Sequence, residues 1–196
     1  NYTSAVIDAK AAADYLAGLE TVDGGNLGVM GWSQGGTDAL LAAEAHPGTF
    51  QAVVTWSGAL ELNGASLFAG TSFEDAYAQA KKEGFYTMTF DWREPLELGE
   101  RWFQEVAETN ILKVTADIKA PILAINGKDD TTVTPDNAEK IVKAAANADS
   151  QLLLVDNCDH TYNVFSGDFT ALYQTVDATA AFFQAQLIPA AAQAAA

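Results

Sequence analysis

The sequence is poor in basic residues and in cysteine and has no long apolar run, and each shortage excludes a class of protein. Its 10 lysines and arginines stand against 26 acidic residues, which gives a formal net charge of −16. Nucleic acids and anionic membrane surfaces repel such a charge, so neither is an expected partner. The single cysteine, Cys158, excludes an internal disulfide and a cysteine-based metal site. No apolar run approaches the length of a membrane-spanning helix.

The rest of the composition is that of a folded, single-domain protein. Nearly half of the 196 residues are hydrophobic and 18% are charged, as in a globular body rather than a disordered chain. The length is enough to bury one core. Because the chain starts at Asn1 rather than at methionine, we expect that a preceding segment has been removed or omitted. We expect a cytoplasmic location, although the lack of disulfides does not exclude export.

Short apolar runs alternate with amphipathic segments along most of the chain. Runs of four to six apolar residues between helical segments are typical of βαβ units, in which a parallel sheet is covered on both faces. The pattern therefore predicts an α/β fold with a mostly parallel sheet of about four strands. Strands are predicted at 26–32, 50–58, 120–127 and 150–157, and helices at 4–19, 34–45, 135–147 and 168–187.

Residues 60–110 interrupt this alternation. They are rich in charged and aromatic residues, show weak periodicity and contain no good candidate for a central strand. Helices are predicted at 73–83 and around 99–112, which makes the segment a helical insertion. The predicted organisation is a core of residues 1–59 and 111–189, an insertion at 60–110 and an alanine-rich tail at 190–196.

The segment GWSQGG, residues 31–36, places Ser33 between two glycines, directly after a predicted strand and before a predicted helix. An ordinary glycine-rich turn is the alternative, but the strand–turn–helix context favours a nucleophile elbow. Small residues on both sides of such a serine let neighbouring backbone pass close to it, and Gly36 adds a further position for close packing. The N terminus of the next helix would stabilise the anion that forms in acyl transfer.

A serine nucleophile needs a base, and the base needs a group that orients it. The chain has two histidines. His46 ends the helix after Ser33, which suits a structural cap, whereas His160 follows the last strand, where open α/β sheets place their chemistry. Asp129 and Asp130 follow the preceding strand, and either could be the acid. The order Ser, Asp, His is that of the α/β-hydrolase architecture, so the sequence predicts a Ser–His–Asp hydrolase.

Three segments, GWSQGG, PILAINGKDDTTVTPDNA and LLLVDNCDHTYN, resemble the α/β-hydrolase family. Within it, the chain looks most like bacterial cinnamoyl (feruloyl) esterases and related carboxylesterases. The resemblance implies an ester hydrolase that works through an acyl-enzyme on cinnamoyl or other small aryl esters, with no metal and no cofactor. It selects Asp130, the third residue after the strand-ending Gly127, as the acid, with Asp129 as the second choice.

The sequence departs from this family before the nucleophile. Only 32 residues precede Ser33, so the N-terminal strands of such a fold are absent and the four predicted strands would be the second half of an eight-stranded sheet. The backbone N–H of Gln34 is the expected first donor of the oxyanion hole. We expect a missing N-terminal segment or a partner chain to cover the exposed edge of the nucleophile strand and to supply the second donor.

The insertion holds nine of the 20 aromatic residues, and in this family it would form a cap over the catalytic face. The rings could form the insertion's own small core, or some could bind a planar acyl group. We name Tyr86, Phe90 and Trp92 as candidate substrate-binding residues.

Four residues near the predicted site have simpler interpretations. Trp32 could fill core space or shape the acyl pocket, and core packing is favoured. Cys158 is interpreted as a small apolar filler. Asp156 and Asp159 are interpreted as solvated or turn-forming residues.

Two other functions remain open at this point. One is a serine peptidase of the prolyl-oligopeptidase type, whose catalytic domain has the same order of Ser, Asp and His. The other is a non-catalytic binding module that retains the triad residues without turnover.

Overall fold

The computed structural model describes residues 1–64, 67–68, 70–90 and 93–188. Trp92 and the predicted tail at 190–196 therefore lie outside the described residues. Contacts divide the chain into a larger unit, Ala5–Leu60 with Ile111–Ala196, and a smaller unit, Asn1–Ser4 with Glu61–Asn110. None of the described helices is long and apolar enough to cross a membrane.

Strands and helices alternate in the described residues as the sequence predicts, and the insertion contains two further strands. In chain order they are α1 (Tyr2–Ala17), β1 (Leu27–Trp32), α2 (Gln34–Ala45), β2 (Phe50–Trp56), α3 (Phe73–Glu83), β3 (Phe85–Met88), β4 (Leu96–Gly99), α4 (Glu100–Glu108), α5 (Ile111–Asp117), β5 (Ile122–Gly127), α6 (Asp136–Ala144), β6 (Gln151–Val155) and α7 (Thr170–Leu187).

The larger unit is built on a parallel sheet with the strand order β1-β2-β5-β6. Successive side chains of a strand point to opposite faces, so both faces of the central strands β2 and β5 must be apolar to be covered. Val54 and Ile125 pack in a cluster with Phe182 of α7, while α2 and α6 contact the sheet through β1, β2 and β5. The predicted α/β fold with four parallel strands is confirmed.

Strand β1 lies at an edge of this sheet, and among the described residues it pairs with β2 alone. Met30 is correspondingly exposed. The parallel arrangement brings the carboxyl ends of all four strands to one edge of the sheet, so the residues that follow Trp32, Trp56, Gly127 and Val155 meet there.

The smaller unit is organised around aromatic rings. Phe103 and Phe68 are fully buried, and rings from α3, β3 and α4 surround them. Each partner ring has its centroid within 6.4 Å of one of these two; the partners are Phe73, Tyr77, Tyr86 and Trp102. These contacts give the insertion a core of its own.

The prediction that the insertion is helical was wrong in part. Strands β3 and β4 form an antiparallel hairpin, which sequence analysis missed because strands of four residues are too short for a pattern of alternation to stand out. The single helix expected around 99–112 is two helices, α4 and α5. Thr109 separates them because its backbone is extended, at φ −92° and ψ 123°.

Candidate active site

Ser33 lies at a strained bend between β1 and α2. Its backbone has φ 55° and ψ −123°, a conformation that costs a residue other than glycine about 1–3 kcal/mol. Two hydrogen bonds hold it there: the N–H of Ser33 donates to the carbonyl of Trp56 at 2.9 Å, and the N–H of Gly36 donates to the carbonyl of Ser33 at 3.0 Å. The bend is that of the predicted elbow.

Two of the three glycines around Ser33 are required by space. A Cβ at Gly31 would lie 1.9 Å from the carbonyl oxygen of Gly35, and a Cβ at Gly36 would lie 2.8 Å from the Cα of Gly58. Nothing lies within 4 Å of a Cβ at Gly35. The close backbone approach that the motif predicts is therefore made at Gly31 and Gly36.

His160 reaches the bend from the loop that follows β6. Its Nε2 lies 3.1 Å from Ser33 Oγ, and its Nδ1 lies 2.8 Å from Asp130 Oδ2. The structure thus brings together three distant side chains, since His160 stands 127 positions from Ser33 and 30 positions from Asp130 in the sequence. Asp129 is exposed, and its N–H donates to the carbonyl of Cys158. Of the two candidate acids, Asp130 is the one that contacts the imidazole.

Asp130 is 2% exposed and is surrounded by donors. The N–H groups of Thr132 and Val133 each donate to its Oδ1 at 2.9 Å, and Asn126 Nδ2 lies 3.4 Å from its Oδ2. Burial alone would raise the pKa of this carboxyl, but hydrogen bonds from His160 and Val133 and the charge of His160 hold the pKa below its ordinary value.

The state of the histidine follows from the state of this carboxylate. An ionised carboxylate only accepts hydrogen bonds, so Nδ1 of His160 must carry the hydrogen that it shares with Asp130. In the neutral imidazole Nε2 then has a lone pair, and this lone pair faces the Ser33 hydroxyl at 3.1 Å. The arrangement can accept the proton of Ser33, which makes Oγ a nucleophile.

The comparisons with known proteins agree with this fold. The sequence matches the prolyl oligopeptidase family over residues 3–188. The chain belongs to the prolyl oligopeptidase family. This family indicates a serine hydrolase of the α/β-hydrolase fold, so the predicted fold family is confirmed. No curated protein matched in the sequence search.

Solved structures from several kinds of hydrolase share the fold. Est1E from Butyrivibrio proteoclasticus with bound ferulic acid is 19% identical, with a TM-score of 0.72 over 94% of this chain and 68% of that one. A complex of DcsB with its substrate analogue is 15% identical, with a TM-score of 0.73 over 94% and 72%. A puromycin-hydrolyzing peptidase from Mycobacterium tuberculosis is 23% identical, with a TM-score of 0.65 over 94% of this chain and 25% of that one. This chain therefore spans a quarter of that peptidase.

The structure corrects the interpretation of Trp32. Sequence analysis favoured core packing for this residue, but its side chain is 42% exposed. The indole N–H donates to the carbonyl of His160 at 2.9 Å, and the two rings lie 5.2 Å apart. Trp32 therefore contacts the histidine loop rather than the core.

The other candidate binding residues are placed within their own elements. Gln34 is the first residue of α2, so its N–H belongs to the first turn of the helix after Ser33. Tyr86 is half-buried against Phe68 and Phe103 in the smaller unit. Phe90 is half-buried too, with the guanidinium carbon of Arg93 5.5 Å from its ring centroid. Contact of these rings with a substrate stays a prediction.

The residues interpreted as structural have the expected surroundings. His46 ends α2, and its N–H donates to the carbonyl of Ala42. Cys158 is fully buried, and burial, with the nearby carboxylates, raises its pKa to about 11. Asp156 pairs with Lys128 at 2.6 Å, and Asp159 accepts hydrogen bonds within its own turn.

Three buried residues beside Asp130 were missed by sequence analysis. Asn126 donates from Nδ2 to the carbonyl of Val133 at 2.9 Å and so supports the loop that carries the acid. Ser57 Oγ lies 3.2 Å from the Tyr162 hydroxyl, which donates to the carbonyl of Ile125 at 3.3 Å. One signal was present: Asn126 is a polar residue inside the otherwise apolar run of β5.

Proposed function

We propose that the chain is a carboxylic-ester hydrolase in which Ser33, His160 and Asp130 form the catalytic triad. One observation carries the proposal, namely the unbroken series of contacts from Ser33 Oγ to His160 Nε2 at 3.1 Å and from His160 Nδ1 to Asp130 Oδ2 at 2.8 Å. The strained backbone of Ser33 supports it further, because strain of this kind collects at functional sites.

The reaction would proceed in two halves. His160 Nε2 takes the proton of Ser33 as Oγ attacks the ester carbonyl, and Asp130 stabilises the imidazolium without taking its proton. The tetrahedral intermediate collapses to the acyl-enzyme as His160 protonates the leaving alcohol. Water then repeats the sequence: His160 takes one of its protons, the hydroxide adds to the acyl carbon, and Ser33 Oγ leaves with the returned proton.

The negatively charged oxygen of the tetrahedral intermediate needs hydrogen-bond donors to stabilise it. Gln34 offers its backbone N–H at the N terminus of α2, where the helix dipole also favours negative charge. We expect the second donor from a segment that pairs with the exposed edge of β1, either in the same protein or in a partner chain. The loss of one such donor costs about 10²–10³ in kcat, so this segment would matter for turnover.

Small aryl esters, cinnamoyl and feruloyl esters among them, are the substrates that we propose. The exposed ring of Trp32 beside His160 is a planar apolar surface, which suits such a group. Tyr86, Phe90 and Trp92 in the insertion are proposed as further contacts. The fold shared with the ferulic acid complex of Est1E is consistent with this choice.

A peptidase is the second candidate, and the family match favours it. The matching family is named for prolyl oligopeptidases, and a structural neighbour is a puromycin-hydrolyzing peptidase. The same triad cleaves amides when the leaving amine is protonated. Values of kcat/KM for methyl ferulate, para-nitrophenyl butyrate and a proline para-nitroanilide would separate the two functions. A preference for the anilide would favour the peptidase, and a preference for butyrate over ferulate would contradict the aryl assignment.

Replacement of the nucleophile tests the shared chemistry. Ser33→Ala should abolish release of para-nitrophenol from the butyrate ester and should leave the unfolding midpoint near that of the parent. Ser4→Ala, an exposed serine on α1, is the matched control and should keep full activity. Ester hydrolysis at the parent rate in Ser33→Ala would contradict the assignment.

A further inference from the structure

The side chain of Trp32 links the residue before the nucleophile to the loop that carries the base. Its indole N–H donates to the main-chain carbonyl of His160 at 2.9 Å, and the centroids of the two rings lie 5.2 Å apart at a tilt of 38°. The indole is 42% exposed, so this large ring is not buried in the core. The contact with His160 therefore needs an explanation other than core packing.

The loop of His160 has to cross the sheet to reach Ser33. In the strand order β1-β2-β5-β6, Ser33 follows the strand at one edge and His160 follows the strand at the other edge. Neighbouring strands lie about 4.8 Å apart, so three spacings, or about 14 Å, separate the two strands. The loop crosses this distance and places Nε2 of His160 3.1 Å from Ser33 Oγ. A small shift of the loop at the β1 side would break that contact.

Main-chain contacts hold this loop from two directions. On the β5 side, the N–H of Asp129 donates to the carbonyl of Cys158 at 3.0 Å. Within the loop, Asp159 Oδ1 accepts from the N–H groups of two later residues at 2.8 and 2.9 Å, which supports the shape of the turn. The bond from Trp32 ties the main chain of the loop to the β1 side, where the nucleophile lies.

The backbone of this loop depends on such contacts for its shape. Asn157, Tyr162 and Asn163 have φ of 50°, 55° and 61°, in the left-handed region that favours glycine. Conformations of this kind persist only where the surrounding structure holds them. A hydrogen bond that reaches the loop from another strand, as that of Trp32 does, is therefore a contact on which the position of His160 depends.

We propose that Trp32 is a positioning residue that keeps His160 within reach of Ser33. Its N–H holds the main chain of the loop and its ring lies against the imidazole, so β1 positions the base as well as the nucleophile. The proposal deepens the proposed function and rests on it for its catalytic meaning. Because Trp32 acts through His160, its loss should slow the chemical step for every ester. Contact of the ring with an aryl group would instead raise KM for aryl esters alone.

Trp56 offers a matched comparison, because it has the same place on the neighbouring strand. It pairs with Trp32 in the register of β1 and β2, ends its strand as Trp32 does, and donates its indole N–H at 2.9 Å. Its acceptor, however, is Thr179 Oγ1 of α7 rather than the histidine loop. The Trp56 carbonyl that accepts from Ser33 belongs to the main chain, so Trp56→Phe keeps it. Phenylalanine at either position removes an indole N–H and keeps an aromatic ring.

Steady-state kinetics with para-nitrophenyl acetate and methyl ferulate test the proposal in the full chain. Trp32→Phe should lower kcat about tenfold for both esters and leave KM for the acetate within about twofold, because a displaced base slows the reaction without weakening binding. Trp56→Phe should lower the unfolding midpoint more than Trp32→Phe and lower kcat less. Benzothienylalanine at position 32 has sulfur in place of the N–H and keeps the shape of the indole. It should reproduce the fall in kcat, and it decides the question if Trp32→Phe does not fold.

The outcomes separate this proposal from the proposed function. An unchanged kcat in a folded Trp32 variant, or a rise in KM for methyl ferulate alone, would overturn the positioning role. Equal falls in kcat in Trp32→Phe and Trp56→Phe would overturn it as well. Nuclear Overhauser effects between the indole of Trp32 and the imidazole of His160 test the contact without turnover, and their absence would contradict the proposal. A parent chain that shows them but hydrolyses no ester or amide would support the positioning of His160 and count against the proposed function.

Discussion

The two units of the chain use their buried residues differently. The larger unit buries polar side chains near its triad: Asn126 contacts Asp130, and Ser57 contacts Tyr162. The smaller unit buries aromatic rings around Phe103, and polar and charged side chains of α4 bond to one another at its exposed surface. Polar burial fixes the position of a reacting group, whereas ring burial supplies stability. The comparison predicts which substitutions should affect activity and which should affect only folding.

The largest effect is expected at the carboxylate. Asp130→Asn should lower kcat by about 10⁴, because the amide cannot hold the imidazole in the required tautomer. Asp129→Asn is the matched control and should retain most of the activity, because Asp129 is exposed and only its backbone N–H is bonded to the histidine loop. Ester hydrolysis at neutral pH measures both. Equal losses in the two variants would mean that the acid was assigned wrongly.

In the smaller unit the largest effect is expected at Phe103. Phe103→Ala should cost about 3–5 kcal/mol in the free energy of unfolding, since a fully buried ring is lost from the aromatic cluster. Phe85→Ala removes the same ring from a position that is 40% exposed and should cost much less. Urea unfolding of both variants measures the difference. A similar cost for the two would show that the rings around Phe103 do not form a core.

Alanine substitutions at two glycines of the elbow, Gly31 and Gly35, should change the stability of the protein in opposite directions. Gly31→Ala should destabilise the fold by about 3 kcal/mol, because its Cβ would overlap the carbonyl of Gly35. Gly35→Ala meets nothing within 4 Å, and as a helical position it should gain about 0.5–1 kcal/mol from the lower entropy of the unfolded chain. The thermal unfolding midpoints of the two variants, compared with that of the parent, measure both changes in stability. Equal destabilisation would contradict the close approach at Gly31.

The smallest effect is expected at Thr55, the second-last residue of β2. Its hydroxyl is buried and has no hydrogen-bond partner among the described residues. Thr55→Val should therefore stabilise the protein by about 1 kcal/mol and leave ester hydrolysis unchanged. Thr37→Val is the contrasting control, because the Thr37 hydroxyl donates to the carbonyl of Ala59 and its loss should destabilise. A loss of stability in Thr55→Val would show that its hydroxyl is satisfied.

Much of the larger unit could be predicted because its signals are local. Apolar runs between helical segments predicted a parallel sheet, and the carboxyl ends of parallel strands share one edge, which placed Ser33, Asp130 and His160 together. Ser57 and Tyr162 could not be found in this way. Their contact with each other depends on the register that pairs Trp56 with Ile125 and on two backbone conformations that serine and tyrosine rarely adopt.

The insertion was harder to predict for a different reason. Its helix at 73–83 was predicted correctly because capping and composition are local signals, with Ser72 accepting from the N–H of Asp75. The hairpin of β3 and β4 depends on contacts between two strands of four residues, which are too short to be recognised from their sequence pattern. The aromatic residues were visible in the sequence, but their arrangement around Phe103 is a property of the fold.

Covalent labelling of the full chain by a fluorophosphonate tests the central claim most directly, because only an activated serine reacts quickly. The structure predicts one adduct, located on Ser33 by peptide mass analysis. His160→Ala should reduce the rate of its formation strongly, because the base that accepts the serine proton is lost. An unlabelled chain, an adduct on another residue, or a rate that His160→Ala leaves unchanged would contradict the account.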